Sequence, residues 1–516
     1  MKFDSPAQTN PIDQLKIVGK PTPRIDGPLK TTGTAPYAYE RHNVVPGQAY
    51  GYVLGAGIAK GRIKAMNIAH AQQAPGVISV LNTLDFEPAP LGSQNTANLF
   101  GGAEIQHYHQ AIAMVVAETF EQARAAAHMI IGEYEREQGN FDLAKLAPDA
   151  PLVKGGNGEP SVESYGDFDS AYAAAPVKLD ATYTTPDETH AMMEPHATIA
   201  AWDGDKVTVW MSHQMIQWGK VALAKALGVP QENVRIDSPF IGGGFGGKLF
   251  IRADVVVAAL AARKFQRPVK VTLQRPLIIN NTTHRPATIQ RIQLGAGKDG
   301  KLTAISHEST SGNLPGGGPE GAVNQTQLFY AGANRRTALR IAELDLPEGN
   351  AMRAPGEAPG LMALEIAMDE LAEKLGMDPV ELRIVNDTQV DPMNPDRPFS
   401  YRDLVGCLRR GAEAFGWDKR NPKPAANRKG RWLIGHGMAA GFRNNVLRKS
   451  GARVRLGSDG VLIVETDMTD IGTGSYTIIA QTAAETMGLP LNRVCVELGD
   501  SSYPVSADRK STRLNS

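Results

Sequence analysis

The stretch Ile241-Gly242-Gly243-Gly244-Phe245-Gly246-Gly247-Lys248 constrains this chain more than any other. Five of the six positions from Gly242 to Gly247 are glycine. Each costs roughly 0.5–1 kcal/mol relative to alanine in a regular element. Such a run persists where backbone must pass through positive φ or press against something flat or charged. Phe245 is the one bulky side chain inside it. The first reading is a backbone cradle for a large, polar, phosphate-bearing ligand, with peptide N–H groups as donors.

Two nucleotide motifs fit the run by letter. Gly242-x-x-x-x-Gly247-Lys248 matches a phosphate loop, but Leu249 stands where a Ser or Thr hydroxyl must bind Mg²⁺. Gly242-x-Gly244-x-x-Gly247 matches a dinucleotide fingerprint with a strand before it and a helix after. The acidic residue expected at the end of the next strand is replaced by Gln274-Arg275, which leaves an NADP-type reading open.

Composition narrows the partners. The formal net charge is zero and no long basic run occurs, so nucleic acid and anionic membrane are poor partners. Cys407 and Cys495 are the only two cysteines, too few for a thiolate-held iron–sulfur cluster or a Cys-rich zinc site in this chain. Both read as small buried hydrophobes. Residues 1–10 lack a basic-plus-apolar signal pattern, and the apolar run 255–262 is far short of a membrane span, so a soluble chain without its own export signal is expected.

Residues 1–25 read as an extended arm. Residues 48–54 and 110–117 read as buried strands, and residues 119–134 as a helix, which together predict a compact α+β unit. Residues 154–160 form a linker. Further strands are expected at 178–183, 206–210, 234–236, 269–273 and 287–294, and helices at 215–227 and 253–264. Gly228 and Pro230 mark the end of the first of these helices. Ala351-Met352-Arg353-Ala354-Pro355-Gly356-Glu357 opens an amphipathic helix. Asp378-Pro379-Val380-Glu381 has the form of a helix start. Residues 386–399 read as a long polar loop and residues 417–430 as a basic linker.

One unit occurs twice. Asp203-Gly204, a strand, Gln214, a helix, Leu227-Gly228-Val229-Pro230 and a strand return as Asp459-Gly460, a strand, Gly472-Thr473-Gly474, a helix, Met487-Gly488-Leu489-Pro490 and a strand. Two pseudo-symmetric halves facing a shared site follow from this.

Taken in order, Met193-Glu194-Pro195-His196, Ser212-His213-Gln214, Gly242 to Lys248, Arg353-Ala354-Pro355-Gly356 and Gly472-Thr473-Gly474 resemble the molybdopterin-binding subunit of the xanthine dehydrogenase/aldehyde oxidase family. The likeness runs from about Lys20 to Pro504. The segment Asn280-Asn281-Thr282-Thr283-His284-Arg285-Pro286 resembles the branch of bacterial three-subunit periplasmic-type aldehyde oxidoreductases. The resemblance implies an α+β fold. An arm (1–25) leads to an α/β hammerhead domain (26–150), then two molybdopterin-binding domains (160–400 and 410–507), the second incomplete.

The resemblance also implies roles. Gln214 would hydrogen-bond the apical oxo ligand of molybdenum. Gly243, Gly244, Phe245, Gly246 and Gly247 would line the metal and pterin, and Phe245 and Arg353 would stand at the reacting centre. Gly472, Thr473 and Gly474 would bind the pterin or its phosphate. No side chain would ligate molybdenum directly. The cofactor would be molybdopterin, in its cytosine dinucleotide form, with [2Fe-2S] clusters and FAD on partner subunits. The implied reaction is hydroxylation with water as oxygen source, with a glutamate as general base. Purine-oxidising relatives carry a glutamate after the Gly-Gly-Lys; Leu249 in that place argues for an aldehyde, with a purine or N-heterocycle as the alternative. A non-catalytic cofactor-binding homologue is a second alternative. The compartment would be the cytoplasm, or the periplasm by co-export with a signal-bearing partner.

The family's catalytic glutamate has no counterpart here. Asp508-Arg509-Lys510-Ser511-Thr512-Arg513-Leu514-Asn515-Ser516 is polar, basic and unlike the residues before it. A truncated sequence with a non-native tail, inactive by itself, is the expectation. His190 and His196 flank Glu194 without the His-Glu-x-x-His spacing and read as satisfied buried groups. His107 and His109 read as loop residues, and Glu357 as a carboxylate at a helix N-terminus.

Overall fold

The computed structural model describes residues 15–42, 44–92, 95–155, 158, 161–443 and 449–506. The first part of the arm and the tail from Asp508 lie outside the described residues.

An unbroken apolar run becomes a strand only where both faces of a sheet are covered. β3 (Ala111–Ala117) is such a strand, buried at every position. It lies in a seven-stranded sheet with β1 (Ala49–Gly55), β2 (Val77–Asn82), β4 (Ala197–Asp203), β5 (Lys206–Met211), β6 (Val234–Asp237) and β7 (Val269–Thr272). The strand order is β6-β5-β4-β7-β1-β3-β2. The first region is therefore not a unit closed on itself. β1 pairs in parallel with β7, Ala49 opposite Val269, so one sheet runs from the first region into the second.

α1 (Phe120–Ala127) packs on this sheet and starts on a capping box between Thr119 and Gln122. The expected helix over 119–134 is thus half as long. Ile131–Arg136 is a strand paired with Gly61–Asn67, because a tertiary partner overrides the helical run of alanines before it. α2 (Ile216–Leu227) and α3 (Ala253–Phe265) flank the glycine run and bury their apolar faces in the main core.

A second, five-stranded sheet joins Val162–Tyr165, Val177–Thr185, Thr288–Ala296, Leu302–Asn313 and Asn334–Glu343. α4 (Glu357–Leu375) covers it with Ala363, Leu364, Ala367, Met368 and Leu371, all buried. α5 (Pro379–Val385) starts on Asp378, whose side chain accepts the N–H groups of Val380 and Glu381.

The repeat is geometric as well as sequential. β4 and β5 are antiparallel, β5 and β6 parallel, and α2 connects the parallel pair. β8 (Arg453–Leu456), β9 (Leu462–Thr466), α6 (Ser475–Met487) and β10 (Val494–Leu498) repeat that arrangement. Both helices end on a left-handed glycine, Gly228 at φ 64° and Gly488 at φ 65°. The two units meet at their strand ends. Ser238 N–H donates to the Gly499 carbonyl at 2.7 Å, and Arg235 pairs with Asp500 at 2.6 Å.

The arm is fastened to the second unit. Glu485 on α6 accepts the N–H groups of Lys16, Ile17 and Val18, and Gln481 donates to the Ile17 carbonyl and to Thr22 Oγ1.

Two smaller expectations are corrected, and a third holds. Cys407 and Cys495 are exposed. Cys407 lies on a helix that buries only Leu408, and Cys495 falls on the outward face of β10. His107 lies in a loop but is buried. The loop 386–399 contains a short hairpin, Val390–Asp391 with Asn394–Pro398. Among the described residues no helix is long and apolar enough to cross a membrane.

Candidate functional site

The glycine run connects the end of β6 to the start of α3 and is held at both ends by one side chain. Glu194 Oε2 accepts the Gly242 N–H at 2.8 Å and pairs with Lys248 Nζ at 2.8 Å. Lys248 Nζ also donates to the Glu194 carbonyl at 3.0 Å. Burial lowers the Lys248 pKa and Glu194 partly restores it. The ammonium that a phosphate loop would need is therefore committed inside the fold. His190 donates from Nε2 to the Ala351 carbonyl at 2.9 Å, and His196 from Nε2 to the Gly247 carbonyl at 3.1 Å. Burial pushes His190 down to about 4 and His196 well below its usual value, so both stay neutral donors. His196 fastens the run, and His190 fastens the Ala351 segment packed against Gly246.

Close approach explains the glycines. A Cβ on Gly244 would lie 2.5 Å from Gln214 Oε1. Gly246, at φ 104°, would drive a Cβ into the Ala351 carbonyl. Phe245 adopts φ 54° and Ala354 φ 57°, a region costly for residues with a side chain. Both flank one contact, the Arg353 N–H donating to the Phe245 carbonyl at 2.7 Å. Strained backbone from two distant segments thus meets at Arg353.

These segments leave several donors unpaired. Gln214 Oε1 accepts the N–H groups of Gly246 at 3.0 Å and Lys248 at 3.3 Å, which turns its amide NH₂ the other way. Among the described residues, that NH₂, the Arg353 guanidinium and the N–H groups of Gly243, Gly244 and Phe245 have no hydrogen-bond acceptor. Gly246 and Gly247 use their N–H groups internally, on Gln214 and Gly244, and contribute shape. Phe245 leaves 41% of its surface exposed beside these donors. These donors suit a ligand that presents acceptors, as phosphate and metal-oxo oxygens do. The residues present therefore fit a molybdopterin group.

The second loop differs. Gly472 and Gly474 adopt φ 96° and 85°. The Asp470 carboxylate already accepts the N–H groups of Gly472, Gly474 and Ser475, at 2.8–3.0 Å, and Lys30 pairs with it at 2.9 Å. Thr473 Oγ1 meets Ser475 Oγ at 3.1 Å. The loop stands beside the glycine run, since the Ile241 N–H donates to the Asp470 carbonyl at 2.9 Å. Its backbone donors, however, are largely engaged from within.

Leu249 is buried against Met215, Phe250 and Trp218. It borders a cavity of about 240 Å³ whose other walls include Val221, Ala222 and Ile251. A polar cavity of about 380 Å³ lies beside the Arg353 segment, lined by Glu320, Asn350, Ala351, Pro355 and the loop from Gly316 to Gly321. Sequence reasoning passed over that loop, although the cluster Pro315-Gly316-Gly317-Gly318-Pro319 is a signal for one. It also passed over the Glu194–Lys248 pair, whose members stand 54 positions apart. Glu357 begins α4, as expected of an N-terminal carboxylate.

Two repeated α/β units joined at their strand ends, with a donor-lined cradle beside the join, define a subunit that holds a large anionic cofactor. The molybdopterin cofactor-binding domain matches residues 154–387 and again residues 410–507. The aldehyde oxidase and xanthine dehydrogenase a/b hammerhead domain matches residues 33–138. The chain is 64% identical over 509 residues to the aldehyde oxidoreductase molybdenum-binding subunit PaoC of Escherichia coli strain K12, covering 98% of this chain and 69% of that one. It is 30% identical over 503 residues to the putative xanthine dehydrogenase molybdenum-binding subunit XdhA of the same strain, covering 92% of this chain and 66% of the relative. The fold matches a Cu,Mo-CO dehydrogenase at TM-score 0.80 and 21% identity, over 96% of this chain and 70% of that one. It matches the aldehyde oxidoreductase of Desulfovibrio gigas at TM-score 0.76 and 22% identity, over 93% and 56%. The chain belongs to the xanthine dehydrogenase/aldehyde oxidase family of molybdenum-binding subunits. Its fold is that family's hammerhead domain followed by molybdopterin-binding domains.

Proposed function

We propose that this chain is the molybdopterin-holding subunit of an enzyme that oxidises aldehydes to carboxylic acids with water as oxygen source. The 64% identity to a molybdenum-binding subunit of aldehyde oxidoreductase carries this reading. The bound cofactor supplies the oxygen transfer and takes up the electrons. Gln214 presents its amide NH₂ to an oxo group, because its Oε1 is fixed by two backbone N–H groups. Gly243, Gly244 and Phe245 offer three successive N–H donors to the cofactor's oxygens. Arg353 adds a cation free to stabilise negative charge that grows on the substrate oxygen. Gly472, Thr473 and Gly474 shape the opposite edge of the cradle.

Leu249 and its apolar cavity favour an apolar aldehyde over a purine, which needs a charged or hydrogen-bonding partner at that position. The cofactor takes the cytosine dinucleotide form. With two cysteines in this chain, [2Fe-2S] clusters and FAD belong to partner subunits. The assembly works in the cytoplasm, or in the periplasm by co-export with a signal-bearing partner. Co-expression with iron–sulfur and FAD-binding partners tests the reading. Molybdenum near one equivalent per chain is the expected result, with ¹⁸O from labelled water in the carboxylate product once the segment carrying the general-base glutamate is supplied. Absence of molybdenum, or oxidation of purines and not of aldehydes, overturns it.

A further inference from the structure

The segment from Asn280 to Pro286 takes no part in the cradle, yet it is tied to almost everything around it. Asn281 Oδ1 accepts the Ala111 N–H at 3.0 Å, and the His284 carbonyl accepts the Asn350 N–H at 3.0 Å. Arg285 reaches further. Its side chain is 3% exposed. Nη2 donates to the Arg353 carbonyl, Nη1 to the Ala354 carbonyl at 3.3 Å, and Nε to Glu188 Oε2 at 3.1 Å. Glu320 stands on the far side. Its Oε1 accepts the Gly356 N–H and lies 3.5 Å from Arg285 Nη1.

We infer that Arg285, backed by Glu320, is the positioning residue that aims Arg353 at the cradle. Three observations lead there. The Arg353 side chain is exposed and has no partner among the described residues, so what the fold fixes is the backbone from which it leaves the chain. That backbone includes Ala354 at φ 57°, a conformation that needs outside support. The support consists of the Phe245 carbonyl on the Arg353 N–H, Arg285 on the two following carbonyls, and Glu320 on the Gly356 N–H. Two successive carbonyls and a carboxylate require a planar fork with several fixed donors. Lysine, with one rotating ammonium, cannot serve all three.

The inference rests on the proposed role of Arg353 only for its effect on turnover, and its main test does not need activity. Hydrogen exchange is followed on the amides of residues 351–354, 356 and 357 and of α4, in wild type, Arg285→Lys and Glu320→Gln. Both variants nearly keep volume, which guards against loss of the fold. The expected result is that the Arg353 amide exchanges roughly tenfold faster in Arg285→Lys while the amides of α4 keep their rates. In a cofactor-loaded complex that includes the segment carrying the general-base glutamate, kcat should fall roughly 10–100-fold with little change in KM and unchanged molybdenum content. An unchanged Arg353 amide in both variants overturns the clamp. So does an equal rise across α4, which would mean general loosening. If the wild-type complex holds no molybdenum, the proposed function fails, and the exchange rates still decide the clamp.

Discussion

Glu194→Gln keeps the shape of the side chain that staples the glycine run and removes its charge. Glutamine can still accept the Gly242 N–H, so the change falls on Lys248. The Lys248 side chain is fully buried, with Glu194 as its only ion-pair partner among the described residues. Leaving one member of a buried pair uncompensated costs about 3–5 kcal/mol. For a unit of 150–250 residues, 1 kcal/mol moves Tm by about 2–4 °C, so a drop of roughly 6–20 °C is expected for the transition that contains the run. The sign with pH follows from Lys248. Burial already lowers its folded-state pKa, and loss of Glu194 lowers it further. Below the unfolded value of about 10.4 the unfolded chain then binds more protons than the fold, so stability rises with pH. The deficit of the variant should be largest in acid and shrink toward alkaline pH. Adding Lys248→Met removes the stranded charge and should recover most of the loss. Calorimetric scans from pH 6 to 10 on wild type, single and double variants provide the measurement. A shift below about 2 °C at pH 7, or a double variant no better than the single, would refute the reasoning.

The remaining predictions concern the same segment. Gly244→Ala places a methyl 2.5 Å from Gln214 Oε1, and should lower the molybdenum-to-protein ratio of the purified complex with a Tm change of only a few degrees. Gly246→Ala meets a backbone carbonyl that cannot turn aside and asks alanine for φ 104°, so it should cost at least about 2 kcal/mol in chemical denaturation. His190 stays neutral in the fold down to about pH 4 while the unfolded histidine takes a proton below about 6.5. Stability should therefore fall as pH drops through that window, and His190→Gln should reduce the slope of that fall by up to about 1.4 kcal/mol per pH unit.

The parts of the fold carried by local chemistry were legible in the sequence. The glycine run, the helix ended by Gly228, the helix opened by Asp378 and the repeated strand–helix–strand unit all depend on residues close in the chain. What escaped depends on distant partners. Residues 131–136 read as helix because the alanines before them are good helix formers; their partner strand at Gly61–Asn67 lies about 70 positions earlier. The sheet shared by β1 and β7 joins residues more than 200 positions apart, and periodicity cannot reveal such a pair. The cradle was legible as a list of residues. The division of labour within it was not. Only coordinates separate the free N–H of Gly244 from the engaged N–H of Gly246, or show that Asp470 occupies the amides of Gly472 and Gly474.

The docking of the arm on α6 has a consequence in time. The acceptor of residues 16–18, Glu485, is made more than 460 residues after them. At about 5–20 residues per second, synthesis of the stretch between them takes roughly 25–90 s. For that interval the arm has no α6 to lie on. A segment made long before its dock is thus seated late, and a protease present during synthesis would find it open well after the first sheet has formed.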